Sequence, residues 1–275
     1  MKNQEVIDRI LAYYPPLDMP DSCDGVKYGD TSKECTGIIT TCFANGKVIQ
    51  EAIRLGYNLI YCHEPTFWDH MDALDRVKDN PVFQAKAKLL DEHGITIFRD
   101  HDHTHAHQGR PDWIELGWTE ELGWGPYQVQ GADGPKRHLF DLPETTVEKL
   151  ALELKTKMGL NGVRIVGDRS QKVSRAWMCV HLLPLPIFDT DAVIRSVIDA
   201  DVDVIIPLDT VDWTGLAFIR DAALLGFGKA AILPGHFNLE ELGMRYLAKY
   251  LAEAMDIPGI PVTYVQSGDM FDYIV

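Results

Sequence analysis

Apolar residues along this chain fall into two alternating patterns, a helical stripe and a short unbroken run. Val6, Ile7, Ile10 and Leu11 share one face of a helix over 3–13, which Pro15-Pro16 ends. Residues 17–35 read as loop, with Asp24-Gly and Tyr28-Gly-Asp as turn signals, and the run at 38–42 reads as a buried strand. A helix over 47–55 closes on Gly56, a strand follows over 57–62, and a helix over 81–93 closes on Gly94 before a strand ending at Arg99. Farther on, the pattern predicts strands at 136–140, 163–167, 173–180, 202–206, 230–233 and 262–265. Helices are predicted over 147–158, where Thr145 or Thr146 can cap, and over 189–199, 214–225 and 239–255. Strands alternating with helices of this length make βαβ units, so the fold class is α/β with mostly parallel sheets. In such sheets ligands collect beyond the carboxyl ends of the strands.

The order of the elements repeats. Residues 47–65 parallel 192–207, and 87–101 parallel 222–236, so that each half reads helix–strand–helix–strand. Both second strands run into a histidine, His101 in one half and His236 in the other, and four residues on stand His105 and Glu240. An internal duplication follows, with one half over 1–125 carrying His63/Glu64 and His101/His105, and another over 126–275 carrying His236/Glu240.

Composition narrows the class without changing this plan. The 275 residues are 46% hydrophobic and 24% charged, as in a soluble globular protein. No apolar run nears the ~20 residues that span a bilayer, and the N-terminus lacks an apolar signal segment, so a cytoplasmic protein is expected. A net charge of −15 argues against nucleic acid as partner, while leaving room for a small-molecule substrate; without an apolar span, no membrane partner is expected. Five cysteines without a Cys-x-x-Cys pair make neither a disulfide framework nor a zinc ribbon.

The chemistry concentrates in His101-Asp-His-Thr-His-Ala-His107, which holds four of the ten histidines. Extended, the tract turns all four imidazoles to one side; helical, it sets His101 beside His105 and His103 beside His107. The repeat favours His101/His105, with His103/His107 as the alternative. Together with His63, Glu64, His236 and Glu240, this makes four imidazoles and two carboxylates, a set for zinc, iron or manganese. Six ligands exceed one open four-coordinate site and fit two divalent ions that activate water, so hydrolysis is the default chemistry. His103, His107 and Asp102 are the candidates to move protons, although Asp102 could instead hold a ligating imidazole. Trp68, His70 and Trp213 could wall the cleft. The competing function is a non-catalytic metal-binding regulatory or protein-interaction module.

These motifs resemble a known family. His63-Glu64-Pro65 after a strand, His101 with a ligand four residues on, and Gly235-His236-Phe-Asn-Leu-Glu240 look like the three signatures of the Nif-three-like dinuclear metal proteins, often catalogued as GTP cyclohydrolase I type 2 homologues. Asp24-Gly-Val-Lys-Tyr-Gly29 stands where that family has Asp-Asn-x-Gly-Leu-x-x-Gly. The chain departs where the family has His-His-Pro and His-Thr-x-Leu-Asp; Glu64 replaces one histidine and His105 one aspartate, a compensated swap that preserves the ligand count. The resemblance implies two similar α/β halves with the metal site in the cleft between them. It also implies two metal ions per chain and homo-oligomers from dimer to toroidal hexamer. It implies no defined substrate.

Overall fold

Two five-stranded sheets organise the chain, each in its own compact unit. The computed structural model describes residues 1–106, 109–131, 138–183 and 190–274. One unit comprises Met1–Trp118 with Glu240–Ser267, the other Thr119–Leu239 with Gly268–Val275.

The first unit begins with α1 (Asn3–Tyr13), β1 (Gly25–Tyr28), β2 (Ile38–Thr41), α2 (Gly46–Leu55), β3 (Leu59–Cys62), α3 (Pro81–His93), β4 (Thr96–Arg99) and α4 (Asp102–Ala106). α5 (Trp113–Leu122) then crosses into the second unit, which holds β5 (Leu139–Thr146), α6 (Val147–Met158), β6 (Arg164–Val166), β7 (Lys172–Leu182), α7 (Thr190–Ala200), β8 (Val204–Thr210), α8 (Ala217–Leu224) and β9 (Ala230–Leu233). α9 (His236–Ala254) returns to the first unit, and β10 (Val262–Tyr264) completes its sheet.

In the first sheet the order is β1-β4-β3-β2-β10, with β10, β2, β3 and β4 parallel and β1 antiparallel on the β4 edge. β2, β3 and β4 are buried at every residue, as strands of a parallel sheet covered on both faces must be. Val48 and Ile49 of α2 and Phe83 and Leu90 of α3 pack on Ile39, Ile60 and Ile97. The second sheet runs β5-β7-β8-β9-β6, with β7, β8 and β9 parallel and antiparallel strands on both edges. Val193 and Val197 of α7 and Ile219 of α8 pack on Trp177, Ile205 and Ala231. Three parallel strands with an antiparallel strand beyond the last of them recur in both units, as the α/β reading expects.

Four features differ from the sequence reading. β1 forms inside the stretch read as loop, an edge strand with no apolar run that is specified mainly by its pairing with β4. α5 is buried on most sides and therefore shows no amphipathic stripe. α9 starts at His236, three residues early, because Gly235 takes the left-handed backbone (φ +102°) that turns the chain out of β9. Finally, the compact units do not follow the sequence division at 125/126. The parallel pairing of β10 with β2 brings Glu240–Ser267 back to the first unit.

Candidate metal centre

Because β3 and β4 are neighbouring parallel strands in register from Leu59/Thr96 to Cys62/Arg99, the residues just past their carboxyl ends emerge side by side. Those residues are His63 and His101. Their rings stack with centroids 4.7 Å apart and planes 22° from parallel. The chain then turns into α4, which lifts His105 one turn above His101, edge-on to both rings at 4.9 and 4.7 Å. Asp24, from the loop before β1, starts that short helix: its carboxylate accepts the backbone N–H groups of His101, Asp102 and His103 at 2.6, 2.9 and 2.8 Å. The histidine tract is thus helical where it is described, and His107 lies outside the described residues.

Each ring is held through Nδ1. That of His63 donates to the Asp100 carbonyl (3.1 Å), that of His101 to Asp102 Oδ1 (2.9 Å) and that of His105 to Asp112 Oδ2 (3.0 Å). These partners orient the rings and turn each Nε2 toward the centre. The Nε2 atoms of His63 and His105 lie 3.2 Å apart. Two lone pairs facing each other repel unless a proton or a cation lies between them.

Carboxylates close the other side. Glu240, 2% exposed on α9, places Oε1 3.6 Å from His63 Nε2, and Glu64 is also buried. Ligand-capable atoms of His63, His101 and His105 lie within 4.8 Å of one another, and so do those of His63, Glu64 and Glu240. His63 belongs to both groups. Burial alone would depress the His63 pKa, but Glu240, and then Glu64, overcome it and raise it to about 9. His101 moves the other way, to about 4, through burial and the neighbouring His63 and His105. Groups with strongly perturbed pKa values gathered in one cluster are candidates for a functional site.

The remaining candidates take other places. Asp102 is spent on anchoring His101 and on accepting the Cys23 N–H (2.8 Å) through Oδ2. His103 turns to Asp24 Oδ2 (2.6 Å) and groups with Asp24 and Asp100 rather than with His63. Asp100 itself accepts from the Tyr61 hydroxyl (2.7 Å), and burial, then Asp24, pushes its carboxyl up to about 6. His70 flanks the centre, its ring 6.2 Å from that of His101. His236, the first residue of α9, lies in the second unit; its Nδ1 donates to Asp209 Oδ2 (2.9 Å), which also takes His181 Nδ1 (3.1 Å). Burial would raise the Asp209 carboxyl, yet the two imidazoles hold it well below the usual range. His236 therefore has the same Nδ1 anchoring as the other three and stands one helical turn before Glu240.

Sequence reasoning named the imidazoles and one anchor, Asp102, which holds His101, and missed the other anchors. Asp112 had a local signal, since Asp112-Trp-Ile-Glu115 has capping-box spacing, and its Oδ1 indeed accepts the N–H groups of Ile114 and Glu115. Asp209 and Asp100 sit at strand ends without any such mark.

The donor set suits divalent transition metals: imidazoles with Nε2 presented, backed by carboxylates. The whole chain is similar to a Clostridium perfringens protein described as a GTP cyclohydrolase 1 type 2 homolog, 22% identical with all of both chains covered. Among solved structures, a Bacillus cereus protein related to NIF3 shares the fold at TM-score 0.73 and 16% identity, covering all of this chain and 99% of that one. A Staphylococcus aureus protein does so at TM-score 0.70 and 20% identity, with the same coverage. The family model described as Duf34/NIF3 (NGG1p interacting factor 3) matches residues 1–268, and the chain belongs to that family.

Proposed function

We propose that this protein is a metal-dependent hydrolase with a dinuclear centre of divalent ions, held by His63, Glu64, His101, His105 and Glu240, with His236 as the sixth ligand. The observation that carries the reading is the facing pair of Nε2 atoms, 3.2 Å apart, on rings whose Nδ1 atoms are already committed. A bound pair of ions would supply a water of lowered pKa and a Lewis acid for a small substrate, a phosphoester or a nucleotide. The chain's own part is to hold the rings still. Asp102, Asp112 and the Asp100 carbonyl orient three of them, and Asp209 orients His236. His103 and Asp24 form a ready proton-holding pair one residue from His101 and Asp102.

A purely structural centre would be closed. The side chains of His101 and His105 remain 22% and 34% exposed, which favours catalysis over the non-catalytic alternative. The test is elemental analysis of protein reconstituted with zinc, iron or manganese. About two ions per chain are expected, falling by at least one in His105→Ala and in Glu240→Ala. A metal content near zero after reconstitution would sink the proposal. With metal in place, hydrolysis across a phosphoester, nucleotide and peptide panel should appear and vanish in the same variants.

A further inference from the structure

The second unit contains a cavity of about 280 Å³ at the carboxyl ends of β8 and β9, near the lower end of the range of ligand pockets and sized for a single-ring molecule. Its walls are mixed. Phe237, Met270 and Phe271 make an apolar side, and the last two are more than half exposed, so their faces are open to a ligand's apolar body. Arg164, from edge strand β6, supplies the cavity's cation. Asp209, the acid of the cavity, is already engaged by His181 and His236. Among the described residues no carboxylate pairs with Arg164. Arg164 is exposed at the pocket's edge, so its guanidinium is open to a ligand as well as to water.

We propose that this cavity binds a small organic anion, its negative head on the Arg164 guanidinium and its apolar body against Phe271 and Met270. A guanidinium pairs with phosphate or carboxylate through two parallel N–H donors, and an aromatic wall favours a ring over an alkyl chain. His236 lines the same cavity, so the link from this site to catalysis rests on the proposed metal function, whereas the binding itself does not.

Phenyl phosphate and benzoate, titrated into the full chain by calorimetry, distinguish the two head groups; phenol and inorganic phosphate report body and head alone. One of the two anionic probes is expected to bind on the order of tenfold more tightly than either fragment, a difference of about 1.4 kcal/mol. Arg164→Gln should remove that advantage and leave phenol unaffected, while Phe271→Ala should weaken both the ring-bearing anion and phenol. Metal content should not change in either variant, since neither residue is a proposed ligand. An anionic probe that binds no better than phenol, or binds equally well to Arg164→Gln, would overturn the proposal. A protein that takes up no metal yet shows the expected probe pattern would overturn the metal reading and leave this one standing.

Discussion

Each imidazole of the centre depends on an acceptor at Nδ1, and Arg99 supports the strand exit from which His63 and Glu64 emerge. Fully buried on β4, it donates from Nε to the His63 carbonyl (2.9 Å) and from Nη1 to the His70 carbonyl, and its Nη2 lies 3.7 Å from Glu64 Oε2. One guanidinium thus fixes the strand exit that carries two proposed ligands and balances the charge of one. Lysine keeps the charge but cannot fork in this way. Arg99→Lys is expected to weaken metal binding about tenfold in the native background and to have little further effect in Glu64→Gln, a non-additivity typical of touching groups. Chelator competition measures both constants. Equal losses in the two backgrounds would mean that Arg99 serves the loop and not Glu64. The residue types at the centre were legible from spacing alone, because histidine and glutamate at strand ends and one helical turn apart leave a pattern. Arg99 was not. A basic residue at the end of an apolar run carries no mark of the glutamate 35 positions earlier that it faces.

Among the elements, α9 decides where Glu240 stands, and a glycine sets how closely that helix approaches α5. A Cβ on Gly243 would fall 2.4 Å from Ile114 Cα, and one on Gly117 would fall 2.4 Å from Gly243 Cα. Backbone meets backbone here, so no side chain can move aside. Gly243→Ala gains about 1 kcal/mol of helix propensity in isolation. In place it is expected to cost about 1–3 kcal/mol net of that gain, the usual range for overpacking, and to shift Glu240 away from His63. Urea denaturation with an unchanged slope reads the first effect, and metal stoichiometry the second; a variant of native stability would sink the argument. Gly117 adds to the all-round burial that hid α5 from the sequence reading, while α2, α3 and α6 were plain. Those three end on glycines that take the left-handed conformation, an outward sign of a helix C-terminus. Gly117 and Gly243 sit inside helices, where glycine counts as a penalty until the neighbouring helix is known. β1 was obscure for a related reason, since its sequence holds no apolar run and its strand character comes from β4.

Across the whole molecule, stability and metal binding make opposite demands on the same carboxylates. The chain carries −15 overall, and Glu64, Glu240 and Glu241 are all buried. Glu241 is provided for: it accepts from the backbone N–H of Cys42 (3.2 Å) and from that of Ser267 (2.7 Å). Glu240 meets the Cys42 thiol at 3.6 Å and the His63 ring, and His63 can release its proton when its partner is neutral. Glu240→Gln therefore strands no charge in metal-free protein. Exchanging a buried ion pair for neutral groups is commonly neutral or stabilising, so the metal-free variant should melt at or above the native temperature. With metal the order should reverse. Ligand linkage adds RT ln(1 + [L]/Kd), about 2.7 kcal/mol for one site at a hundredfold excess over Kd, and the variant forfeits most of it at the ion that Glu240 holds. Melting curves of both proteins, with a chelator and with saturating zinc or manganese, are therefore expected to cross. A midpoint lowered equally in both conditions would make Glu240 a structural carboxylate. A crossing would show that the fold keeps this buried acid at the expense of its metal-free stability, as a ligand requires.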